Sequence, residues 1–481
     1  MTGKTIAAAV AVLLGTLATA PEATAAGLYF TDRGVRPLGR GGAFVAGADD
    51  LGAIWYNPAG IVDAPSSLLI DAAYLDYGTT YARQAQTTSA TGTTFVQSFP
   101  AVHGTTPFLP IPTIAASYRF GDKEQYAFAG GIYAPMTGVT TYPTTITNAD
   151  GSQSPSPQRY SLISLNGSTL VIIGATFAYK PVEQVRLGVG LQMLTGTFQS
   201  TVDFSACPAD NLVCASESPN YDSYSRLKVG PIFAPSANVG ATYVPAKVIR
   251  FGASFQAPFW VSSPATVDVR LPTAVVFDTA SQQGDKAHVS FELPPILRVG
   301  VEVRPLDADH DLRVELAYVR EFWSAEKSIN VNPQNIQLLN VTGFPSPFGV
   351  SPISIPRGGQ DSNSVRLGGE YKFPVGDFKL QLRLGVAYET SGIQNAYVSA
   401  LTVDSSKVLT SLGAGLYIGE RLRLDAMYSH VFASDVTVTA AEAAIQPVNP
   451  VKGNPTQTTA VNGGTYSVHG DVIGLGMQYR F

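Results

Sequence analysis

The feature of this 481-residue sequence that most limits its fold is an alternation of apolar and polar residues, repeated along most of the chain. In residues 378–388 every second residue is apolar (Phe, Leu, Leu, Leu, Val, Tyr), and Lys, Gln, Arg, Gly and Ala lie between them. A period of two places the apolar set on one face of a β-strand and the polar set on the other face. Comparable segments predict roughly fourteen strands, at about 67–77, 113–120, 125–134, 168–180, 184–200, 226–243, 247–261, 286–304, 311–323, 364–373, 378–389, 407–418, 421–437 and 467–481.

The connections between these predicted strands alternate between tight turns and long loops. The tight turns fall at 121–124, 181–183, 244–246, 305–310, 374–377 and 419–420. The long loops fall near 78–112, 135–167, 201–225, 262–285, 324–363, 390–406 and 438–466. Outer-membrane barrels have short turns on the periplasmic side and longer loops outside the cell, so the pattern predicts an all-β fold: a transmembrane antiparallel β-barrel of about 14 strands.

The composition and the N-terminus agree with an exported barrel. Only 14% of the residues are charged, against roughly 25% in soluble domains, and a sheet can cross a bilayer only when it closes on itself. Lys4, the apolar run 6–20 and the small residues 23–25 form the pattern of a secretory signal. We therefore expect a signal peptide at residues 1–25 and a location in the bacterial outer membrane.

A glycine-rich segment separates this signal from the first predicted strand. It contains Phe44, Trp55 and Tyr56. A barrel of about 14 strands is wider than its own side chains can fill, so a compact segment is needed inside it. We expect residues 26–66 to form an N-terminal plug, or hatch, inside the lumen, and residues 67–481 to form the barrel.

The same segment carries a family resemblance. The stretch AGLYFTDRGVRPLGRGGAFVAGADDLGAIWYNPAGI resembles the N-terminal hatch of the FadL and TodX (OmpP1) family of outer-membrane transporters, most specifically in the motif Asn57, Pro58 and Ala59. The segments LPPILRVGVEVRP, DLRVELAYVREFWS and SVRLGGEYKF are similar to later strands of that family. The resemblance implies passive uptake of hydrophobic small molecules, either long-chain fatty acids or aromatic hydrocarbons. It also implies that the hatch rearranges and that the ligand leaves sideways into the bilayer, beside a kinked third strand.

Two sets of residues are candidates for this transport path. Gly130, Gly131 and Pro135 in the third predicted strand give the wall a place to bend, or the two glycines make room for the plug. Apolar residues on the loops are candidates for a ligand groove, since exposed aromatic patches usually have a partner; some of them could instead be girdle aromatics at the membrane surface. This second set comprises Phe95, Phe99, Phe108, Leu109, Phe259, Trp260, Phe344 and Phe348.

The remaining expectations concern the cysteines and the partners. Cys207 and Cys214 lie close together in an exported chain, which favours a local disulfide over two free thiols. The net charge of -5 gives no basic footprint for nucleic acid. We expect outer-membrane lipid, lipopolysaccharide and the barrel-assembly machinery as partners, the last because the chain ends on the aromatic Phe481, and we expect a monomer.

Three other functions compete with transport of hydrophobic compounds. An enzyme would need a catalytic or metal-binding arrangement, and the five histidines lack the spacing of such a motif, so we expect no catalytic residues, no cofactor and no metal site. A general outer-membrane porin shares the strands and loops but has an open lumen. A surface adhesin or receptor barrel is the third alternative.

Overall fold

The computed structural model describes residues 29–30, 32–88, 92–137, 139–207, 217–305, 311–449 and 459–481. The predicted signal peptide lies outside these residues. Within them, no helix is both long enough and apolar enough to span a membrane.

Fourteen antiparallel strands form a closed barrel, which confirms the predicted fold. Each strand pairs with the next one along the chain, and the last strand pairs with the first, where Arg480 lies opposite Ser67. The strands are β1 (Ser67–Thr88), β2 (Ile111–Phe120), β3 (Tyr126–Tyr133), β4 (Thr169–Val182), β5 (Val185–Ser205), β6 (Asp222–Ala246), β7 (Ile249–Gln256 and Phe259–Arg270), β8 (Lys286–Leu293 and Ile296–Val303), β9 (Asp311–Glu321 and Ser328–Pro333), β10 (Ser362–Val375), β11 (Phe378–Glu389), β12 (Lys407–Ile418), β13 (Leu422–Ala433) and β14 (Gly464–Arg480).

Shorter elements lie between and beside these strands. The segment before β1 contains the helices α1 (Val35–Leu38) and α2 (Ala53–Tyr56) and a 3-10 helix at Pro58–Val62. Four short strands extend the loop ends of the barrel sheet: Thr94–Ser98, Val102–Gly104, Ile353–Pro356 and Val436–Val438. Further short strands form small sheets separate from the barrel sheet: Tyr29–Phe30 with Met136–Thr137, Thr145–Thr147 with Gln153–Pro155, and Ser281–Gln283 with Gln337–Leu339 and Phe348–Gly349. The other 3-10 helices are Pro219–Tyr221, Val275–Phe277, Trp323–Ala325 and Asn395–Tyr397.

The strand faces follow the alternation of the sequence. On β11, Leu382, Leu384 and Val386 are exposed on the outer face, whereas Gln381 and Arg383 are buried on the inner face. An apolar exterior is stable against lipid, and the polar residues are directed into the lumen. The outside of the wall is therefore a membrane surface.

Several of the predicted loops contain strand, and two of them show most clearly how the barrel strands extend. β7 stops at Gln256 and resumes at Phe259, so it runs to Arg270 through the predicted loop 262–285. The strand predicted at 247–261 is interrupted in the structure, because Pro258 lacks the backbone N–H that a strand ladder needs. Likewise β5 extends to Ser205 and β6 begins at Asp222, within the predicted loop 201–225. These extensions pair with each other, and Ser205 lies opposite Asp222 in their ladder.

Candidate functional site

The segment before β1, whose described part is residues 32–66, is enclosed by the barrel strands. A Cβ placed on an inward-facing glycine of the wall would collide with atoms of this segment at Gly188, Gly240, Gly252, Gly368 and Gly385. Further wall glycines contact it more loosely, at Gly174, Gly300, Gly413 and Gly474. These glycines belong to strands on opposite sides of the barrel. The segment, called the hatch below, therefore occupies the space expected for a plug, and its action as a plug stays a prediction.

Ion pairs connect the hatch to the wall. Arg36 contacts Glu370 of β10 at 2.5 Å, and within the hatch it contacts Asp49 at 2.7 Å and Asp50 at 3.0 Å. Asp50 also accepts a hydrogen bond from Arg423 of β13 at 2.9 Å. Because these groups are buried, each charge depends on its partner for stabilisation. These buried ion pairs attach the hatch to β10 and β13.

A second set of charged contacts holds the middle of the hatch. The carboxylate of Glu315 on β9 accepts hydrogen bonds from the backbone N–H groups of Val45, Ala46 and Gly47, at 2.6, 2.9 and 2.9 Å. Three donors on one carboxylate stabilise its charged form. Arg40 lies beside the same carboxylate at 3.4 Å.

The pKa of Asp49 shows how strongly the charges are coupled. Burial alone would raise this pKa, but Arg313, Arg36 and Arg304 outweigh burial and hold it well below its usual value. Asp49 is therefore ionised at any pH at which the barrel would function. The ion pairs of Asp49 with these arginines therefore do not depend on pH near neutrality.

The motif residue Asn57 joins the hatch to the opposite wall. Its side-chain Nδ2 donates to the carbonyl of Val45 at 2.9 Å, to Thr242 Oγ1 at 3.0 Å and to the carbonyl of Ala241 at 3.3 Å. Its Oδ1 accepts from the N–H of Ala59 at 3.2 Å and so caps the 3-10 helix that begins at Pro58. Asn57, Pro58 and Ala59 are all buried. The motif therefore fixes the turn and attaches it to β6.

An apolar cavity of about 120 Å³ lies between the hatch and the outer loops. We call it the inner cavity. Its walls come from the outer parts of β4, β5, β6, β8 and β9, through Leu170, Leu194, Phe198, Leu227, Ile232, Val289, Phe291 and Ile329. The hydrophobic cluster that contains Leu194 and Ile232 also contains Ile54 and Trp55 of the hatch. Apolar packing is thus continuous from the cavity wall to the hatch.

Two further cavities lie outside the inner cavity. The vestibule, of about 470 Å³, has a mixed lining that includes Tyr160, Ser354 and Asn449. The outer cavity, of about 90 Å³, is lined mostly by apolar side chains such as Phe204, Phe277 and Leu338. The vestibule shares Ile353 and Ile355 with the outer cavity. It also shares Arg357 and Leu401 with the inner cavity, so the three spaces are neighbours.

Arg357 is the positively charged residue at the junction of the vestibule and the inner cavity. Its guanidinium has no hydrogen bond or ion pair with any residue that the structure describes. Burial lowers the pKa of Arg357 to about 10, and it is still cationic at neutral pH. Burial also raises the pKa of Glu326, on the same cavity lining, to about 7. Arg357 thus has Glu326 as an electrostatic neighbour but makes no hydrogen bond through its guanidinium to a described residue, and a cation in this state beside an apolar cavity can bind the anionic end of an amphiphile.

The predicted lateral-opening residues lie on and after β3. Gly130 and Gly131 are paired with Ala116 and Ala115 of β2 on one side, and with Ala175 and Gly174 of β4 on the other. Both ladders run without a register shift over Tyr126–Tyr133. Pro135 is buried and lines the inner cavity. An opening at Gly130 and Gly131 stays a prediction.

The predicted ligand-groove residues are scattered, and none of the eight lines any of the three cavities. Phe95 and Phe108 are exposed, as are Leu109 and Trp260, whereas Phe259 is buried on the inner face of β7. The Phe99 ring lies 5.0 Å from the Arg83 guanidinium, and the rings of Phe344 and Phe348 pack against each other at 5.4 Å. Their role in a groove stays a prediction.

The cavity residues that sequence reasoning missed share one signal. Leu194, Leu227 and Phe291 occupy inward positions near the outer ends of strands whose inward residues are elsewhere polar. Apolar residues on the inner face of a wide barrel would have indicated an internal apolar space. Arg357 had no such signal, because it lies in the segment 324–363, which the sequence predicted to be a long loop.

Only one of the two cysteines of the predicted disulfide lies within the described residues. Cys207 is disulfide-bonded. Cys214 lies outside the described residues, so its pairing with Cys207 stays a prediction.

Comparison with solved structures supports the fold. A FadL homologue from Pseudomonas aeruginosa aligns over 95% of this chain and 100% of its own, with a TM-score of 0.71 and 16% sequence identity. The toluene transporter TbuX of Ralstonia pickettii covers 94% of this chain and 99% of its own, with a TM-score of 0.56 and 17% identity. The P. putida toluene transporter TodX covers 94% and 99%, with a TM-score of 0.59 and 13% identity.

Comparison with known sequences supports the family and the location. A putative outer membrane protein of Neisseria meningitidis serogroup B is 28% identical over 123 residues, which are 25% of this chain and 24% of that protein. The chain thus matches about a quarter of the length of this relative. The family model described as outer membrane protein transport protein (OMPP1/FadL/TodX) matches residues 16–481. With its closed barrel and internal hatch, this chain belongs to the OmpP1, FadL and TodX family of outer-membrane transport proteins.

Proposed function

We propose that the protein takes up hydrophobic compounds across the outer membrane, and that its preferred ligands are long-chain fatty acids. The observation that carries this proposal is the apolar inner cavity with the cationic Arg357 at its rim, where Glu326 is its electrostatic neighbour. Burial of an alkyl chain is worth about 0.8 kcal/mol per methylene, which favours long chains. A charge-assisted hydrogen bond from Arg357 to the carboxylate would fix the orientation of the ligand.

The cavities suggest an order of binding. A ligand would first bind in the vestibule and the outer cavity, both of which are formed by external loops and strand ends. Its tail would then enter the inner cavity while its carboxylate stays at Arg357, which borders both the vestibule and the inner cavity. Glu326 is largely protonated below its pKa of about 7, so it opposes the incoming carboxylate least under mildly acidic conditions.

Two movements complete the proposed path. The hatch lies below the inner cavity and shares its hydrophobic cluster through Trp55, so a ligand that goes deeper must displace this packing. The ligand then leaves sideways into the bilayer. Release into lipid is favourable because the alkyl chain never becomes exposed to water.

A binding experiment tests the choice of ligand. Affinities of the purified protein for palmitate, hexadecanesulfonate and hexadecane are compared between the wild type and Arg357→Leu. A charge-assisted hydrogen bond contributes about 1.5–3 kcal/mol, so the affinity for both anions is expected to fall roughly 10- to 150-fold. The affinity for hexadecane is expected to stay the same.

Two controls accompany this experiment. Arg226→Leu removes an exposed arginine and should change none of the three affinities. Equal loss for palmitate and hexadecane would show that Arg357 shapes the cavity without recognising charge. Conductance in a planar bilayer distinguishes the alternative function: a large steady ion current without saturable binding of palmitate would indicate a general porin.

A further inference from the structure

Four basic residues form a group on the outer face of the barrel, across β6, β7 and β8. Arg226 and Lys228 lie on β6, Arg270 lies on β7 and Lys286 lies on β8, and all four are exposed. Leu227, between the two residues of β6, faces the other way and lines the inner cavity. The four basic side chains therefore point away from the lumen. We call them the basic stripe.

The pairing of the strands places these residues in adjacent rows. Lys228 lies opposite Thr266, and Thr266 lies opposite Lys286, so the two lysines share one row that spans three strands. Neighbouring strands are about 4.8 Å apart, which puts the two lysine Cα atoms about 10 Å from each other. In the row nearer the strand ends, Arg226 lies opposite Asp268.

The charges of the basic stripe are only weakly compensated within the protein. No member of the stripe forms an ion pair with a residue that the structure describes. The Arg270 guanidinium lies 5.2 Å from the centre of the Tyr224 ring and has Asp203 as an electrostatic neighbour. Two exposed acids, Asp268 and Asp285, lie beside the stripe. The surface is therefore positive, although the whole chain has a net charge of -5.

The outer face changes from basic to polar and then to apolar toward the turn between β6 and β7. Next to the lysine row, the His288 Nε2 lies 2.8 Å from the Ser262 hydroxyl oxygen. Ser290 lies opposite Ser262 in the following row. Beyond these residues, Phe233 and Trp260 are 64% and 59% exposed. A ligand that binds along this face must therefore be apolar at one end and anionic at the other.

This order of side chains matches an amphiphile with acyl chains, sugar hydroxyls and phosphates. Exposed apolar side chains pack against acyl chains, and hydroxyl and imidazole groups exchange hydrogen bonds with sugars. Lysine and arginine bind phosphates through charge-assisted hydrogen bonds. A glycerophospholipid supplies the chains and the phosphate but no sugar ring for the polar row. Phosphorylated glycolipid fits all three rows.

The outer face on the other side of the barrel has the opposite charge. Asp76 of β1 lies opposite Asp471 of β14. Asp471 accepts hydrogen bonds from the Tyr428 hydroxyl at 2.6 Å and from the His430 ring at 2.8 Å. A phosphate is repelled by two neighbouring carboxylates. Charge complementarity therefore selects the surface on β6, β7 and β8.

We propose that the basic stripe, with the polar and apolar rows beside it, is a binding site for one molecule of lipopolysaccharide in the outer membrane. The proposal concerns the outside of the wall and does not depend on which compound the lumen carries. Lys228 and Lys286 bind phosphates of the glycolipid, His288 contacts its sugars, and Phe233 and Trp260 contact its acyl chains.

A titration of the purified protein tests the site. Diphosphoryl lipid A, the phosphorylated glycolipid part of lipopolysaccharide, is added in detergent micelles, and binding is followed by native mass spectrometry. The wild type is compared with the stripe variant, Arg226→Gln/Lys228→Gln/Lys286→Gln. An exposed ion pair changes an affinity by about 1.4- to 5-fold, so the affinity of the stripe variant is expected to fall roughly 3- to 100-fold. Added salt should weaken binding by the wild type more than binding by the variant.

Two control variants accompany the titration. The turn variant, Lys123→Gln/Lys247→Gln/Arg421→Gln, removes the same charge from exposed residues at the opposite ends of the strands, and it should bind lipid A as the wild type does. Asp268→Asn removes an acid that faces Arg226 and should raise the affinity. Tighter binding cannot result from misfolding. Phosphatidylglycerol and lipid A without its phosphates are titrated in parallel.

The outcomes decide the proposal. Weaker binding of diphosphoryl lipid A by the stripe variant, with unchanged binding by the turn variant, supports the site. Equal affinities of the wild type and the stripe variant overturn it. Phosphatidylglycerol bound as tightly as lipid A also overturns it, because the surface would then recognise charge without the glycolipid. If the stripe variant is not a heat-modifiable barrel, Lys286→Gln and Asp268→Asn replace it: opposite shifts in affinity support the site, and no shift in either overturns it.

Discussion

Replacing Asn57 with alanine should release the hatch turn from the wall of β6. The side chain is fully buried, donates to Val45, Ala241 and Thr242, and accepts from Ala59. A buried hydrogen bond contributes about 0.5–1.5 kcal/mol, and the carbonyl and N–H groups left behind have no access to bulk water. Allowing for the two longer bonds, we expect the attached hatch to lose roughly 2–4 kcal/mol.

This loss can be measured as opening of the hatch. At 1.4 kcal/mol per factor of ten, a displaced hatch becomes roughly 30- to 1000-fold more populated. Hydrogen exchange of peptides covering residues 45–62, followed by mass spectrometry in detergent micelles, should speed up by a comparable factor. Exchange of barrel peptides such as 378–389 should stay the same, because their ladder is untouched.

A control separates the motif from asparagine substitution in general. Asn332 lies exposed on the outer part of β9, and Asn332→Ala should leave hatch exchange unchanged. If Asn57→Ala also leaves the exchange of residues 45–62 unchanged, then the hydrogen bonds of the motif do not hold the hatch. The hatch would then be held by contacts other than those of Asn57, even if uptake were altered.

Two further changes test the charged side of the site. Glu370→Gln removes the carboxylate that faces Arg36 and its neighbouring arginines, and breaking such a buried ion pair costs about 3–5 kcal/mol. Proteolysis of the hatch should therefore accelerate. Glu420→Gln changes an exposed turn and should leave the rate of proteolysis unchanged. Burial raises the pKa of Glu326 to about 7, so this carboxyl ionises as the pH rises through 7. The ionised Glu326 then competes with an anionic ligand for Arg357. The affinity for hexadecanesulfonate, which does not titrate in this range, should therefore fall when it is measured by calorimetry at increasing pH. Glu326→Gln should remove this pH dependence, and a slope that persists in the variant would exclude Glu326 as its cause.

The barrel could be predicted from the sequence because its determinants are local. Every second residue of a strand faces lipid and is apolar. The outward orientation of Leu382, Leu384 and Val386 can therefore be predicted from their own residue types. The tight turns and long loops alternate for a similar reason, since every pair of strands returns the chain to the same side of the membrane. Because every strand meets lipid on one face and the lumen on the other, the alternation repeats along the chain and can be recognised without knowing which strands pair.

The site could not be predicted in the same way because its contacts are distant in sequence. Arg36 and Glu370 are 334 positions apart, and nothing near either residue identifies the other. Arg357 becomes a candidate only when strand ends from β4 to β9 surround an apolar space beside it.

If ligands pass through the inner cavity, filling this cavity with a larger side chain should stop uptake. Leu194 lines the cavity, whereas Leu191 on the same strand is 68% exposed on the lipid-facing surface. Oleate uptake is measured in a transporter-deficient host that expresses the wild type, Leu194→Trp or Leu191→Trp at equal levels in the outer membrane. We predict saturable uptake by the wild type and by Leu191→Trp, and its loss in Leu194→Trp. Equal uptake by all three would exclude passage through the inner cavity.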